Sequence, residues 1–376
     1  MKLIIVGDLC LQDRTAKMAW DENQLNHAFA DVKKMVETCD HAIVNLESPI
    51  TSSGQPILKK GPNLKNNPTA FNILDYCGFD IVTLANNHLK DFGGKGVTDT
   101  IDHCKKRGLT VVGGGSTLDE ARRPLIIEDD SLTIGIINVC EHEFSVATRH
   151  SAGANPLDFP NLFEDIQELR KKVDKIIVII HGGKEHYQLP TPRMKREYHL
   201  IANLGADVIV NHHQHCYSGY ELYKGKPIFY GLGNFFFDEP KKRNDKWNKG
   251  LMLQLDLEKE KVDFRLIPFE QCNNEPIVNV QDDSSVAKQL EEINRTIADD
   301  EQLEAALVKL VEKEKRKLLF PFIPYRNHYL RALYNRGHLS ARLSKKDEAN
   351  IENVTSCETH RELLLHYFYS HLHEKE

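Results

Sequence analysis

The order of apolar and amphipathic segments predicts an α/β layered fold followed by a helical C-terminal region. Three short apolar runs rich in β-branched residues, at 3–6, 42–44 and 81–84, each lead into polar residues, as buried strands do. Segments with apolar residues at helical spacing lie between them, at 24–39 and 68–77. Strands that alternate with helices in this way are typical of a sheet covered by helices.

The same pattern continues along the chain. Further helices are predicted over 96–107, 161–173 and 191–204, and further strands over 110–112, 132–139, 175–180, 208–210, 227–230, 251–257 and 262–267. The last two strands are expected to pair antiparallel about a turn at 258–261.

The character of the sequence changes near residue 281. From there it is rich in charge, and its apolar residues fall at helical spacing, which predicts helices over 285–318, 325–345 and 359–373. Pro321, Pro324 and the stretch 345–350 are expected to break these helices. We therefore expect an α/β domain over 1–280 and a helical region over 281–376.

Composition excludes several classes of protein. The chain has 376 residues with 49 basic and 55 acidic side chains, a formal charge of −6, and 40% of its residues are hydrophobic. These values indicate a folded globular protein rather than a disordered or fibrous one. The negative charge argues against a protein that coats nucleic acid, so no nucleic-acid partner is expected.

The sequence also predicts a location. The apolar run at 3–6 is too short for a signal peptide or a membrane helix, and no later run approaches the length of a membrane span. Eight cysteines are scattered without a CxxC pair, a pattern typical of reduced thiols. We expect a cytoplasmic protein with no membrane span.

The side chains that end five predicted strands are the most informative feature of the sequence. They can all bind a metal ion, and they are Asp8, Glu47, Asn87, His181 and the pair His213 and His215. The carboxyl ends of strands are where ligand sites gather in α/β sheets. Such a set of side chains suits two divalent cations. Its mixture of carboxylate, amide and imidazole ligands favours Mn, Fe, Zn or Co over Ca.

Each residue alone has a simpler interpretation. Asp8 could be a turn or capping residue, and Asn86 with Asn87 could form a plain turn. The histidines are a stronger signal, since His213 and His215 would point to the same face of an extended segment, as joint binding of a metal requires. The combination favours a metal site, because the alternative must explain five strand ends independently.

Several sequence blocks occur together and in a fixed order. They are Gly7-Asp8, Asn45-Leu46-Glu47-Ser48-Pro49-Ile50, Leu84-Ala85-Asn86-Asn87-His88 with Asp91-Phe92-Gly93, His181-Gly182-Gly183 with Glu185, Asp207-Val208-Ile209-Val210 before His213-Gln214-His215, and Gly231-Leu232-Gly233-Asn234-Phe235. Over residues 2–270 the chain thereby resembles the CapA family of poly-γ-glutamate or capsule synthesis proteins, within the calcineurin-like metallophosphoesterase superfamily. The resemblance implies a four-layer sandwich of two mixed β-sheets flanked by helices.

The resemblance also implies roles for the metal ligands. Asp8 and His215 would bind the first metal, and Glu47 would bridge both metals. The second metal would be bound by the remaining three side chains, Asn87, His181 and His213.

Further roles follow for residues around the metals. His88 would contact substrate or protonate the leaving group, and Asp91 would orient it. Asn234 and Glu185 are expected on the substrate side. Lys60, in the loop after Glu47, is expected to attract an anionic substrate together with Lys59, although a solvated lysine pair explains these residues equally well.

The chain departs from the superfamily pattern at three positions. Cys10 stands where a histidine is usual, and we favour a buried, inert cysteine over a thiolate ligand. Asn211 replaces a glycine, and Gly182 stands where a tryptophan is common. The basic segment 241–246 is interpreted as a solvated loop.

Three functional hypotheses remain open. The first is a dinuclear-metal hydrolase that cleaves phosphoesters or γ-glutamyl amides in capsule or poly-γ-glutamate metabolism. The second is a non-catalytic, metal-binding accessory protein of polymer synthesis. The third gives the helical C-terminal region the role of an interaction module. The expected partners are an anionic small-molecule or polymer substrate and polymer-synthesis proteins.

Overall fold

The computed structural model describes residues 1–282, 284–356 and 358–372. Its strands are β1 (Lys2–Cys10), β2 (His41–Leu46), β3 (Ile81–Thr83), β4 (Thr110–Val112), β5 (Gly114–Gly115), β6 (Leu125–Glu128), β7 (Thr133–Cys140), β8 (Gly153–Ala154), β9 (Lys175–His181), β10 (Val208–His212), β11 (Tyr220–Tyr223), β12 (Lys226–Phe229), β13 (Asn234–Phe237), β14 (Lys249–Leu257), β15 (Val262–Gln271) and β16 (Val278–Val280).

The α-helices lie between the strands of the first three hundred residues and dominate the rest. They are α1 (Glu22–Val36), α2 (Ala70–Cys77), α3 (Gly93–Lys106), α4 (Leu118–Ala121), α5 (Phe159–Arg170), α6 (Pro192–Leu204), α7 (Ser284–Ala298), α8 (Asp300–Leu319), α9 (His328–Asn335), α10 (Lys345–Ser356) and α11 (Glu358–Leu372).

Within the described residues the strands form two large mixed sheets and a short ribbon. The first sheet is 8-stranded in the order β16-β15-β14-β1-β2-β3-β4, with β13 also paired to β1. The second is 6-stranded in the order β11-β12-β10-β9-β7-β6, and β5 pairs with β8. Neighbours β1 to β4 run parallel, as do β7, β9, β10 and β12, so the carboxyl ends of these strands share one edge of each sheet.

The two large sheets pack face to face with helices outside. Alternate residues of β1 belong to two different cores, because successive side chains of a strand point to opposite faces. Leu3 and Ile5 share a core with the second sheet and with α5 and α6, whereas Ile4 and Val6 lie in the core under α1, α2 and α3. This order of helices, sheet, sheet and helices confirms the predicted fold class.

Short or edge strands account for most differences from the sequence prediction. The predicted strands are all present, and β14 and β15 pair antiparallel as expected. The prediction missed β5, β6, β8, β11, β13 and β16, each of two to four residues. Runs this short give little period-two signal, and their strand conformation depends on a partner elsewhere in the chain.

The C-terminal helices also differ from the prediction. The stretch 345–350 was expected to interrupt the helices, but it begins α10. Conversely, most of the predicted 325–345 helix is not helical, since α9 covers only His328–Asn335 and the next helix, α10, begins at Lys345. Ile323, Tyr325 and Tyr334 form a small core of their own, which fixes an irregular chain there.

The structure divides the chain later than the expected boundary at 280. One compact unit comprises Met1–Leu303 and the other Glu304–Glu376. Residues Val286, Ile293 and Ile297 of α7 belong to the core of the first unit, so this helix folds with the sheets in spite of its charged composition. No helix among the described residues is long and apolar enough to cross a membrane.

Candidate metal centre

The first sheet contributes Asp8, Glu47 and Asn87. Asp8 was expected just beyond a strand, but β1 continues past it to Cys10, and the register with β2 and with β13 shifts next to Asp8. Such a bulge redirects a side chain within a strand. Glu47 follows the last residue of β2, and Asn87 lies in the turn after β3.

Close packing behind Asp8 explains the glycine before it. A Cβ atom on Gly7 would lie 1.8 Å from the carbonyl oxygen of Gly233, a distance that no side chain tolerates. Gly7 therefore allows β1 to approach the 231–234 segment, which carries Asn234 into the site.

The second sheet contributes the histidines. His181 is the last residue of β9, as predicted. His213 and His215 follow β10, with φ angles of 86° and 53°, so they lie in a left-handed turn rather than in the extended segment that the sequence suggested. Left-handed backbone in non-glycine residues is costly and tends to occur at functional sites. The turn, not strand alternation, brings the two imidazoles together.

The structure brings all six predicted ligands together. Two sets have ligand atoms within 4.8 Å of one another: Glu47, His181 and His213 form one, and Asp8, Glu47 and His215 form the other. Glu47 belongs to both, and its Oε1 lies 3.8 Å from His181 Nε2 and 3.9 Å from His215 Nε2. Asn87 joins the first set, since its Oδ1 lies 3.1 Å from His181 Nε2.

The chemistry of this donor set fits divalent cations. Glu47 is fully buried, and neither of its carboxylate oxygens has a hydrogen-bond partner among the described residues. A buried, unpartnered carboxylate is strongly unfavourable unless it binds a cation or takes up a proton. A cation held between the two ligand sets satisfies it.

Burial also sets the protonation of the ligands. It raises the pKa of Asp8, and together with the charge of Asp8 it raises the pKa of Glu47 well above the ordinary value. Burial lowers the pKa of His181, and it lowers the pKa of His215 to about 4. The imidazoles of His181 and His215 are therefore neutral near neutral pH, which is the form that binds metals.

Metal binding should be stronger at higher pH. A cation must displace the proton that the raised pKa of Glu47 favours, whereas the lowered pKa values of His181 and His215 leave these two rings neutral. We expect the binding free energy of Mn²⁺ to be more favourable at about pH 7.5 than at about pH 5.5, by up to about 1.4 kcal/mol per pH unit for each proton displaced. The rise in melting temperature caused by Mn²⁺ should therefore be larger at the higher pH. Thermal unfolding with and without Mn²⁺ measures this, and an equal shift at both pH values would contradict it.

Asn45 supports the ligands and was not predicted as a site residue. Its side-chain amide donates to Asp8 Oδ1 (2.7 Å) and lies 3.3 Å from His181 Nδ1, so it links both sheets. Thr83 and Asn86 in turn donate to Asn45 Oδ1. The signal was available, because Asn45 precedes Glu47 by two residues and strand alternation places both on one side.

Removal of the Asn45 amide should loosen the site. We expect Asn45→Ala to weaken metal binding about 10- to 100-fold, because side chains that orient ligands have effects of this size. Metal titration measures the change, and Asn203→Ala at an exposed position is the matched control. Equal affinities for the two variants would show that Asn45 does not orient the ligands.

Two further side chains orient ligands. Asn234, which was expected to contact substrate, is fully buried; its Oδ1 lies 2.8 Å from His215 Nδ1 and its amide donates to the Trp247 carbonyl (3.2 Å). Its role in the structure is to hold His215. Glu143, which the sequence analysis missed, accepts from the Asn87 amide (3.2 Å), and this leaves Asn87 Oδ1 facing the ligands.

His88 and Asp91 form the expected pair. His88 Nδ1 lies 2.6 Å from Asp91 Oδ2, and His88 Nε2 faces the ligands at 3.9 Å from Glu47 Oε1. Lys59 forms an ion pair with Asp91, and its side chain is only 2% exposed. The cation that reaches the site is therefore Lys59, while Lys60, predicted to attract substrate, is exposed.

Cys10 lies outside both ligand sets. Its sulfur is buried, 3.4 Å from Ser48 Oγ, and Cys10 packs against Phe237 and Trp247. Burial and the nearby charge of Glu47 raise the pKa of the thiol, so it stays protonated. These surroundings favour the interpretation of an inert cysteine.

Comparisons with known proteins match the chain to a family and to several relatives. The family described as "Bacterial capsule synthesis protein PGA_cap" matches residues 2–239. A PGA biosynthesis protein CapA of Bacillus subtilis is 29% identical over 239 residues, which are 62% of this chain and 62% of that protein. The capsule biosynthesis protein CapA of Bacillus anthracis is 27% identical over 248 residues, 64% of this chain and 60% of that protein.

Two further similarities cover other parts of the comparison. A probable polyglutamine synthesis accessory protein of Mycobacterium tuberculosis is 28% identical over 212 residues, 53% of this chain and 56% of that protein. A solved structure of a hypothetical protein from Thermus thermophilus covers 72% of this chain and 99% of its own, with 14% identity and a TM-score of 0.45. The chain matches about three fifths of the length of each of the two Bacillus CapA proteins.

Proposed function

The chain belongs to the bacterial capsule synthesis protein family, and from that premise we propose that it is a metal-dependent hydrolase linked to capsule or poly-γ-glutamate metabolism. One observation carries the proposal: the buried, unpartnered carboxylate of Glu47 lies between two sets of metal-binding side chains. A protein without a metal would gain from replacing such a group with an apolar or hydrogen-bonded one.

Two divalent cations from the group Mn, Fe, Zn and Co would be held by these residues. Asp8 and His215 would hold one cation, Asn87, His181 and His213 would hold the other, and Glu47 belongs to both sets. When bound, such cations lower the pKa of water and neutralise charge that develops on the attacked group.

The chain's own residues supply the rest of the reaction. Asp91 accepts a hydrogen bond from His88 Nδ1–H at 2.6 Å and so holds the ring with Nε2 towards the ligands. Protonated His88 can then deliver its Nε2 proton to a leaving group. Leu64 N donates to Asp91 Oδ2 (2.6 Å) and Lys59 pairs with the other oxygen, so the carboxylate is fixed.

The substrate is an anionic small molecule or polymer that contains a phosphoester or a γ-glutamyl amide. Both bonds break through transition states with negative charge on oxygen, which the same site can stabilise. A cytoplasmic location and polymer-synthesis partner proteins belong to the proposal as well.

A metal analysis followed by a substrate panel tests the function. The purified protein and a His213→Ala variant are assayed for bound metal and then, with Mn²⁺, for hydrolysis of phosphomonoesters, phosphodiesters and γ-glutamyl peptides. We expect metal-dependent turnover of one class by the wild type and its loss in the variant. Absence of turnover on every substrate, with metal bound, would refute the hydrolase.

The second candidate is an accessory protein that binds the polymer without cleaving it. Cys10 favours it, because a protonated thiol stands where the superfamily usually has a histidine. Catalytic silence of the metal-loaded protein together with tight polymer binding would establish this alternative.

A further inference from the structure

A cleft opens beside the candidate metal centre. It has a volume of about 500 Å³, and His88, His215 and Glu185 line it on the side of the ligands. Phe237 and Trp247 form an apolar part of its wall. Clefts of this size hold whole small-molecule ligands. The cleft therefore has room for a part of the substrate beyond the group that reacts.

Two lysines of the segment 241–246 also line this cleft. Lys241 is exposed and Lys242 is half-buried. Neither lysine has a carboxylate within ion-pair distance in the part of the chain that the structure describes. The sequence interpretation of this segment as a solvated loop therefore misses where its first two cations lie.

The loop that carries these lysines is held in place. Arg243 turns inward, where its Nη2 lies 2.9 Å from Asp238 Oδ1 and its Nη1 donates to the carbonyl oxygens of Glu239 (2.6 Å) and Lys242 (2.7 Å). The Asp238 side chain is fully buried and also lies 3.0 Å from Arg14 Nε. The buried ion cluster fixes the backbone on which the lysines stand.

The charges along this segment favour the lysines. The two arginines offset the charge of Asp238, and Glu239, which also lines the cleft, accepts from the Lys241 backbone N–H (3.1 Å). Two lysines therefore stand against one carboxylate in the segment 239–242, and the other acidic lining residues, Asp13 and Glu185, lie outside it. His186 also lines the cleft, and its ring lies 6.0 Å from that of His215, so the cleft is continuous with the candidate metal centre.

We infer that Lys241 and Lys242 form a second anion subsite, which binds an anionic group of the substrate other than the one at the metal centre. The inference rests on the proposed function, and it adds that the substrate carries at least two anionic groups. The subsite recognises charge and not a particular group, so the second anion can be a carboxylate or a phosphoryl group.

Binding of paired ligands to the metal-loaded full chain tests the subsite without turnover. One arm compares an alkane bisphosphonate with the matching monophosphonate, and the other compares a γ-linked glutamate trimer with free glutamate. We expect the ligand with more charges to bind about tenfold more tightly in one arm, and that arm identifies the second anion. The Lys241→Ala/Lys242→Ala variant should lose most of this preference and keep its metal content.

Lys105→Ala/Lys106→Ala is the matched control, because it removes two exposed neighbouring charges from α3. It should keep the preference of the wild type. The inference is wrong if the wild type shows no preference in either arm, or if the 241–242 variant retains it. Failure of the proposed hydrolase function can be distinguished from failure of this inference, because absence of turnover leaves these binding ratios unchanged.

Discussion

Glu47→Gln should stabilise the metal-free protein and abolish its stabilisation by metal. The carboxylate is buried and unpartnered, so folding at neutral pH forces it either to stay charged in an apolar site or to take up a proton. Glutamine keeps the shape without this cost, and we expect a gain of about 1–3 kcal/mol in the free energy of unfolding. The same change removes the only carboxylate common to both ligand sets.

The stability gain from Glu47→Gln should depend on pH in a direction that can be measured. The pKa of Glu47 in the folded protein is raised above the ordinary value of 4.5. Below pH 4.5 the wild-type carboxyl therefore does not lower the free energy of unfolding, and it lowers that free energy increasingly as the pH rises through the folded pKa. The gain from Glu47→Gln should therefore vanish in acid. Urea unfolding of metal-free samples at several pH values measures it.

In the metal-loaded protein, Glu47→Gln should lower the free energy of unfolding instead of raising it. Saturating Mn²⁺ at a hundredfold excess over its dissociation constant stabilises a native site by about 3 kcal/mol, and Glu47→Gln should lose this increment. Glu258→Gln, at an exposed position, should show neither effect. A variant that loses stability without metal, or that still gains stability from it, would mean that Glu47 does not lie between two cations.

His88→Asn should abolish most turnover while leaving the metals in place. His88 Nε2 faces the ligands but is not a member of either ligand set, and its Nδ1 is held by Asp91. Loss of a group that donates a proton costs about 10²- to 10⁴-fold in kcat. Steady-state kinetics on the substrate found in the panel, with metal content measured on the same samples, tests this.

Two variants separate proton donation from metal binding. His213→Asn should lose metal and activity together, because His213 Nδ1 lies 3.1 Å from His181 Nε2 inside a ligand set. His150→Asn, at an exposed position, should change neither. If His88→Asn releases metal as His213→Asn does, then His88 is a ligand and the proposed proton donor is wrong.

Local periodicity made most of the fold predictable. Buried strands such as β9 and amphipathic helices such as α1, with Leu25, Phe29, Val32 and Val36 on one face, carry their pattern in consecutive residues. The strands β11 and β13 carry no such pattern. The helix α7 was assigned to the C-terminal region by its charge, although its apolar side packs into the main core.

The chemical types of the site were also predictable, but its geometry was not. Asp8, Glu47 and His181 could be named because polar residues at the ends of apolar runs are conspicuous. The left-handed turn at His213 and His215 could not be foreseen, since a backbone conformation of that kind depends on contacts with segments far away in the chain. Lys59 and Lys60 are equivalent in sequence, and only the fold buries one of them against Asp91.

The sequence by itself determined the alternation of strands and helices, the family and the six side chains that gather at the candidate metal centre. The tertiary structure decided how those side chains face one another, which neighbours hold them and which lysines line the cleft. The reason is physical: hydrophobic periodicity is written in adjacent residues, whereas burial, the pKa of Glu47 and the position of Lys242 arise from contacts between segments up to two hundred residues apart.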